Sequence, residues 1–193
     1  MKNKYIIYHQ TKPGKDCHDG IASAWVAHLA YPEAQLLGWT YQQNQQGEFP
    51  QLSSGDVAIV VDFSFPTSLL SDWEKHGIRA YIIDHHISAQ EQLDQFRIDN
   101  FEEFINQGIM GMLPPISAVF DMKECGATLT WKVLHPAQPM PYFLEFVKDR
   151  DLWDFLLNET PAVHEALSTL RSNSRGTFSA STMHWLNSTE KNC

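Results

Sequence analysis

The sequence predicts an α/β protein with an open, mostly parallel sheet, helices on both faces of that sheet, and a mainly helical second half. Short, nearly all-apolar segments alternate with longer segments in which apolar residues recur at helical spacing. Residues 57–61 and 79–83 are almost entirely apolar, as expected for parallel strands that are covered on both faces. Hydrophobic residues make up 43% of the 193-residue chain, which is enough for a packed core.

The strands are predicted where a short apolar run meets a turn residue or a polar side chain. The run at 57–61, VAIVV, is the most uniform of them. Beyond residue 88 the apolar pattern weakens, so the two later strands depend on shorter runs. In chain order, the predicted strands are 4–9, 34–40, 57–61, 79–83, 96–100 and 116–120.

The helices are predicted from apolar residues spaced three or four positions apart. The first is rich in alanine and is stopped by Pro32. Gly77 follows the second, at a position where glycine commonly ends a helix. The Gln-rich stretch 41–46 is interpreted as a polar connection without an element of its own. The predicted helices are 20–31, 66–76, 124–134, 143–157 and 161–171.

Composition and charge exclude several classes of protein. A net charge of -9 argues against a protein that holds long duplex nucleic acid by neutralising its phosphates. No apolar stretch approaches the roughly 18 residues that cross a bilayer, so no membrane partner is expected. Three cysteines and no apolar leader favour a reducing, cytoplasmic location. Residues 1–171 are predicted to form one domain, and residues 172–193 a polar tail.

Chemistry-bearing side chains follow three of the predicted strands at the point where each one ends. They are His9, Asp62 and the triplet Asp84-His85-His86. The carboxyl ends of parallel strands share one edge of the sheet, and neighbouring strands lie about 4.8 Å apart. Carboxylates with imidazoles suit Mn²⁺, Co²⁺ or Zn²⁺, and shared ligands suit two cations roughly 3.5 to 4 Å apart. The sequence therefore predicts one or two divalent cations here, with Asp62 bridging them.

A fourth contributor lies immediately before the Ala-rich helix, in the segment Cys17-His18-Asp19-Gly20. A helix that begins at Gly20 presents free backbone N–H groups to an anion, and Asp19 can hold a cation that the anion also touches. Asp16, Cys17 and His18 are each either a ligand or a bystander. Taken singly, each of these motifs is explained equally well by a helix cap, a turn or a small buried side chain.

In this order, the motifs resemble those of the DHH phosphoesterases. The resemblance covers roughly the first four fifths of the chain, and it depends on the joint occurrence of the motifs. They read CHDGIASA, VVDFS, DHHISA, CGATLTW and KDRDLW. The family contains metal-dependent, usually Mn²⁺-activated hydrolases of phosphodiester or phosphoanhydride bonds. Its members include exonucleases, phosphodiesterases of short oligonucleotides and cyclic dinucleotides, pyrophosphatases and exopolyphosphatases.

The resemblance implies roles for individual residues. It places Asp62 between the metals, has His85 ligate one of them, and lets His86 ligate or orient the phosphate. Asp84 belongs to the catalytic motif, and it can equally act as a support for an imidazole. Besides His86, the expected phosphate-binding groups are the backbone at Gly20 and either Arg150 or a lysine of the first loop, although Arg150 can equally be a plain residue of the helix surface. The implied metal ligands are His9, Asp19, Asp62, His85 and either Asp149 or Asp151, and Cys17 is a candidate ligand outside the family pattern.

The chain departs from the family pattern at two places. The family's first motif usually continues from His to Asp-x-Asp, whereas here Cys17 takes the first of those positions. Either the Cys17 thiolate substitutes for the carboxylate, or Asp16 does, or the site works with one metal. Typical members also carry a second domain with a Gly-Gly-Gly-His-like substrate loop, which residues 172–193 do not resemble.

An open site is therefore expected, with self-association into a homo-oligomer as one way to cover it. The six tryptophans are interpreted as core and interface packing in preference to a base-stacking platform. The aromatic residues offered for self-association are Phe143, Phe146, Trp131, Trp153 and Phe155.

The leading functional interpretation is a hydrolase that uses Mn²⁺, with Mg²⁺, Co²⁺ or Zn²⁺ as alternatives, to activate water for attack on phosphorus. The expected substrates are short oligonucleotides, cyclic dinucleotides, polyphosphate or pyrophosphate. The alternative is a metal- or nucleotide-binding module that keeps the ligands but has little or no turnover. The two interpretations differ only in hydrolysis.

Overall fold

The computed structural model describes residues 2–99 and 113–173. The six strands are β1 (Lys4–Lys12), β2 (Lys15–Asp16), β3 (Gln35–Trp39), β4 (Val57–Val61), β5 (Arg79–Asp84) and β6 (Ile116–Phe120). The α-helices in these residues are α1 (His18–Ala30), α2 (Tyr41–Gln45), α3 (Thr67–Lys75), α4 (Ile87–Gln92), α5 (Gly126–Leu134), α6 (Phe143–Asp151) and α7 (Thr160–Asn173). A 3₁₀ turn, Asp94–Phe96, follows α4.

Five strands form a parallel sheet in the order β3-β1-β4-β5-β6, and β2 is antiparallel to the end of β1. This confirms the predicted fold class. The chain first moves from β1 to β3 on one side and then returns to place β4 on the other side of β1. In open α/β sheets, ligands bind in the crevice beyond the carboxyl ends of the strands at such a reversal. The topology therefore indicates that a ligand crevice lies at the carboxyl ends of β1 and β4.

Helices cover both faces of the sheet. Helices α1 and α5 pack on one face, and α3 packs on the other through Leu70 and Trp73. All five residues of β4 are buried, which explains its uniformly apolar sequence. Burying each such Val or Ile side chain contributes roughly 1.5 to 3 kcal/mol.

A third layer, formed by α6 and α7, packs outside α1 and α5. Trp25 of α1 packs in the contact between these helices. Its ring centroid lies 5.1 Å from that of Phe143 and 6.3 Å from that of Trp131. Phe146 is buried in the same layer. The prediction that Trp131, Phe143 and Phe146 form an association surface is therefore wrong, because these rings fill the interior.

The first strand is longer than predicted. It continues past His9 to Lys12, turns at Gly14, and pairs with β2. The buried carboxylate of Asp16 accepts hydrogen bonds from Gln10 Nε2 at 2.7 Å and from the Tyr8 hydroxyl at 3.1 Å. Asp16 is thus part of the hairpin, and the alternative in which it replaces a ligand is not supported by its position.

The Gln-rich stretch forms the short helix α2, contrary to the predicted connection. Thr40 and Gln43 form a capping box, in which the Thr40 hydroxyl accepts from the Gln43 N–H at 3.1 Å. The Gln43 side chain in turn accepts from the Thr40 N–H. The Thr-x-x-Gln spacing is a recognised start signal, and it was available in the sequence.

The strand predicted at 96–100 is absent from its described part, 96–99. Only Arg97 forms a bridge, with Ala118 of β6, and the Ile98 N–H donates to the Ala118 carbonyl at 2.9 Å. Arg97 also pairs with the side chains of Asp94 and Asp99. The pairing with β6 is therefore limited to a single bridge, beside these polar contacts.

Helix α6 ends at Asp151, six residues earlier than the predicted 157. Asp149 ends it, because its carboxylate accepts hydrogen bonds from the N–H groups of Leu156 and Leu157 and from the Thr160 hydroxyl. The loop thus formed leads into α7, which reaches Asn173. The remainder of the predicted tail, 174–193, lies outside the described residues. Within the described part of the chain, no helix is both long and apolar enough to cross a membrane.

Candidate metal centre

The side chains predicted to ligate metal converge at the ends of β1, β4 and β5. His9 lies on β1, and Asp62 and His85 follow β4 and β5 directly. Asp19 lies in the first turn of α1, which begins one residue after Cys17. Asp151, the last residue of α6, closes the cluster from the outer layer. Parallel strands and the helices that follow them therefore bring together residues from most of the described chain.

Asp62 is at the centre of this cluster. Its Oδ1 lies 3.1 Å from His85 Nε2, and its Oδ2 lies 3.6 Å from His9 Nδ1. Oδ2 is buried and has no hydrogen-bond partner among the described residues. The Asp62 backbone has a left-handed φ of 52°, which Asp adopts more readily than most residues. Such strain costs on the order of 1 to 3 kcal/mol and is typical of functional sites.

The possible ligand atoms form separate groups, and the contact between Asp62 and His85 connects these groups. One group contains His9, Cys17 and Asp62, and its ligand atoms lie within 4.8 Å of one another. A second group, with the same limit, contains Asp19, His85 and Asp151. Because Asp62 Oδ1 contacts His85 and Oδ2 faces His9, one carboxylate connects the two groups. These acidic and imidazole groups could hold a metal ion.

Asp19 joins this centre to the start of α5. Its two oxygens accept hydrogen bonds from the N–H groups of Gly126, at 2.6 Å, and Ala127, at 2.8 Å. Asp19 Oδ2 also lies 3.5 Å from His85 Nε2. The sequence motifs did not indicate that Gly126 and Ala127 belong to the site. The available signal was the CGAT motif at the start of a predicted helix.

Gly126 permits the close approach of α5 to the centre. A Cβ at this position would lie 2.5 Å from Asp62 Cβ and 3.0 Å from Asp19 Oδ2. Real Cβ atoms essentially never come as close as 2.5 Å to another heavy atom, so only glycine fits here without movement.

Gly20 lies inside the first turn of α1 and packs closely against β1. Helix α1 begins at His18, so Gly20 is its third residue and not its entry point. A Cβ on Gly20 would lie 2.2 Å from the His9 carbonyl oxygen. The glycine therefore allows α1 to pack against β1, and the prediction that the helix begins at Gly20 is wrong. Because Gly20 lies in the first turn of α1, the role of its backbone in binding an anion stays a prediction.

Asp84 contacts the two histidines that follow it and the side chain of Ser64. It is fully buried, and its Oδ1 lies 2.6 Å from His86 Nδ1 and accepts from the His85 N–H at 2.8 Å. Its Oδ2 accepts from the Ser64 hydroxyl at 2.6 Å. Although Asp84 lies close enough to form a ligand group with Asp62, His85 and His86, these contacts match the supporting role.

Asp149 and Asp151, the two candidates for the last ligand, have separate positions. Asp149 is held by the loop after α6. Asp151 Oδ2 lies 3.6 Å from His85 Nε2. Asp151 also borders a cleft of about 250 Å³, together with Arg150, Asp19 and Cys17. The structure therefore places Asp151 in the cluster and Asp149 outside it.

The charges of the cluster are poorly balanced by the protein alone. Burial and then the charges of Asp62 and Asp151 raise the pKa of Asp19 well above its usual value. Burial, followed by the charge of Asp62, raises the pKa of the Cys17 thiol to about 12 and also raises that of Asp151. Burial works against the charged form of His85, but the Asp62 hydrogen bond and the surrounding carboxylates raise its pKa to about 9. A divalent cation would relieve this repulsion.

Metal binding is expected to strengthen as pH rises from 6 to 9. With a pKa of about 9, His85 carries a proton at pH 7, and a cation must displace that proton to use its ring nitrogen. Each displaced proton changes affinity by up to about tenfold per pH unit below that pKa. Mn²⁺ titrations at several pH values, with proton release measured by calorimetry in two buffers, would check this. An affinity that does not change between pH 6 and 8 would contradict it.

No protein-family profile matches the chain. The chain is similar to the uncharacterized protein R106 of Acanthamoeba polyphaga mimivirus, with 26% identity over 167 residues. The match covers 80% of this chain and 34% of the viral protein, so the chain spans about a third of that protein's length.

Proposed function

We propose that this protein is a metal-dependent phosphoesterase of the DHH type, which hydrolyses phosphodiester or phosphoanhydride bonds in short oligonucleotides or other small phosphate compounds. The observation that carries the proposal is the Asp62 carboxylate, whose two oxygens face His85 on one side and His9 on the other. This is the arrangement expected of a ligand shared by two cations. When bound, such cations neutralise charge on the phosphate and activate water.

The residues fit divalent cations on two grounds. The buried Asp62 Oδ2, which has no hydrogen-bond partner among the described residues, is left for a ligand that is not part of the protein. The donors are carboxylate oxygens and imidazole nitrogens, which suit Mn²⁺, and the Cys17 sulfur would favour Co²⁺ or Zn²⁺ in its group. His9, Cys17 and Asp62 would hold one cation, and Asp19, His85 and Asp151, which Asp62 joins through its contact with His85, would hold the other.

Two further residues, His86 and Arg150, would position the phosphate. Asp84 occupies Nδ1 of His86 and, with burial opposing, raises the pKa of that half-buried imidazole. His86 therefore keeps its second ring nitrogen, as a donor, for a phosphate oxygen. Arg150 lines the cleft beside Asp151 and supplies a permanent positive charge. Together they would orient the phosphate while the carboxylates hold the metals.

A substrate panel tests the proposal. The purified protein is incubated with Mn²⁺ and a two-nucleotide RNA, a cyclic dinucleotide, pyrophosphate or polyphosphate, and released mononucleotide or phosphate is measured. We expect hydrolysis of at least one of them, and we expect EDTA to abolish it. Mn²⁺ binding without hydrolysis of any substrate would favour the binding module instead. An absence of both binding and hydrolysis would overturn the metal site as well.

A further inference from the structure

Three residues just beyond the metal cluster form an exposed aromatic surface, which we call the aromatic platform: Arg150, Trp153 and Phe155. Trp153 is 70% exposed and Phe155 is 48% exposed. The Arg150 guanidinium carbon lies 4.5 Å from the centre of the Trp153 ring and 5.3 Å from that of Phe155. The two rings meet edge to face, with their centroids 5.4 Å apart.

This exposure is maintained at an energetic cost. Trp153 and Phe155 both have left-handed backbone angles, with φ of 61° and 49°, which are uncommon for bulky side chains. The loop keeps this form because Asp149 binds it: the Asp149 carbonyl accepts from the Asp154 and Phe155 N–H groups, and its carboxylate accepts from Leu156. A strained loop that leaves about half or more of two aromatic rings in solvent gains little from their burial, which is the form expected of a loop that holds a ligand.

The platform borders the cleft that holds the candidate metal ligands. Trp153 and Arg150 line the same space of about 250 Å³ as Asp19, Cys17 and Asp151. Ligand sites usually span about 300 to 1,000 Å³, so this cleft suits a single nucleotide unit better than a long chain. A phosphate at the metals would therefore place an attached nucleoside within reach of the aromatic rings.

We infer that Trp153 stacks against a nucleobase of the substrate, that Arg150 fixes the tryptophan ring and faces the phosphate, and that Phe155 supports the ring edge. The inference rests on the proposed function and narrows it, because it selects nucleotides over pyrophosphate and polyphosphate, which have no base to stack. Base stacking on an aromatic side chain tolerates every base, since each has a flat face. The platform thus selects for the class of substrate and not for a sequence.

Direct binding gives the first test. AMP and inorganic phosphate are titrated into the Mn²⁺-loaded protein and into the Trp153→Ala variant. Loss of one stacking contact should weaken AMP binding by about 10- to 100-fold and inorganic phosphate binding far less. Trp153→Phe, which keeps a ring, should retain most of the affinity for AMP. Tyr142→Ala is the matched control, because it removes an exposed ring from the opposite end of α6.

Hydrolysis of a two-nucleotide RNA and of pyrophosphate gives the second test. Trp153→Ala should lower kcat/KM for the RNA at least tenfold more than for pyrophosphate, with an unchanged melting temperature. An equal loss for both substrates, or no loss, would overturn the inference while leaving the proposed function intact. A Trp153→Ala variant that converts a dimer into a monomer in sedimentation and binds AMP normally would also overturn it. If the wild type hydrolyses none of the four substrates of the panel yet binds AMP through Trp153, the proposed function fails and the stacking site stands.

Discussion

Replacing Asp62 with asparagine is expected to lower turnover by more than about 1,000-fold and to remove bound metal from both ligand groups. Changes to residues that only support a metal ligand commonly cost 10- to 100-fold, and a shared ligand should exceed that range. Asparagine keeps the size of the side chain but removes its charge. The oxygen that faces His85 and the atom that faces His9 would both bind a cation more weakly.

Metal content by elemental analysis, Mn²⁺ titration and turnover would check the Asp62 prediction. Cys17→Ala is the comparison. Cys17 belongs to one of the two ligand groups, whereas Asp62 connects them. The Cys17→Ala variant should retain more activity than Asp62→Asn. The bridging assignment fails if Cys17→Ala is inactive while Asp62→Asn keeps most of its turnover.

Replacing Gly126 with alanine is expected to damage both the site and the stability of the fold. The added methyl would lie 2.5 Å from Asp62 Cβ and 2.9 Å from Ser23 Oγ. Because both neighbours are buried, either α5 or the end of β4 must shift. A shift of α5 lengthens the hydrogen bonds from Gly126 and Ala127 to Asp19. Overpacking of this kind costs roughly 1 to 3 kcal/mol of folding free energy.

Thermal unfolding and Mn²⁺ affinity, measured on the same Gly126→Ala preparation, would check this second prediction. Affinity should fall by more than about tenfold, as for other changes beside a metal ligand. Gly47→Ala is the control: it has a positive φ of 75° but no atom within 4 Å of the added methyl. It should lose some stability through backbone strain and keep its metal affinity. Equal metal affinities in the two variants would contradict the role given to Gly126.

The central sheet could be predicted because its signal is local. Residues 57–61 and 79–83 are buried on both faces, and their sequences are almost wholly apolar. Strand ends in a parallel sheet share an edge. For this reason the sequence alone predicts that Asp62 and His85 lie close together. The capping box of α2 is an equally local signal. The segment was nevertheless predicted to be a connection, because glutamine-rich segments are usually polar connections.

The remainder of the site depends on packing over long distances in the chain. Asp19 meets the Ala127 N–H across 108 positions, which no local pattern records. Asp149 and Asp151 lie about 200° apart around α6, so one orientation of the helix directs only one of them toward the cluster. That orientation is set by the burial of Phe146 and Val147 against the core. Without this packing, the sequence could not distinguish the two carboxylates.

The double attachment of Asp19 affects how the protein can change over generations. Its carboxylate fills two backbone donors of α5, so losing it would leave buried N–H groups unsatisfied, at about 1 to 3 kcal/mol each. A descendant without the proposed hydrolytic activity would still be selected to keep Asp19 for folding. The side chain of Asp62, by contrast, contacts the ring nitrogens of His9 and His85. In distant descendants, an aspartate at position 19 would therefore indicate only that the fold has been inherited. An aspartate at position 62 would indicate that the candidate metal centre has been retained.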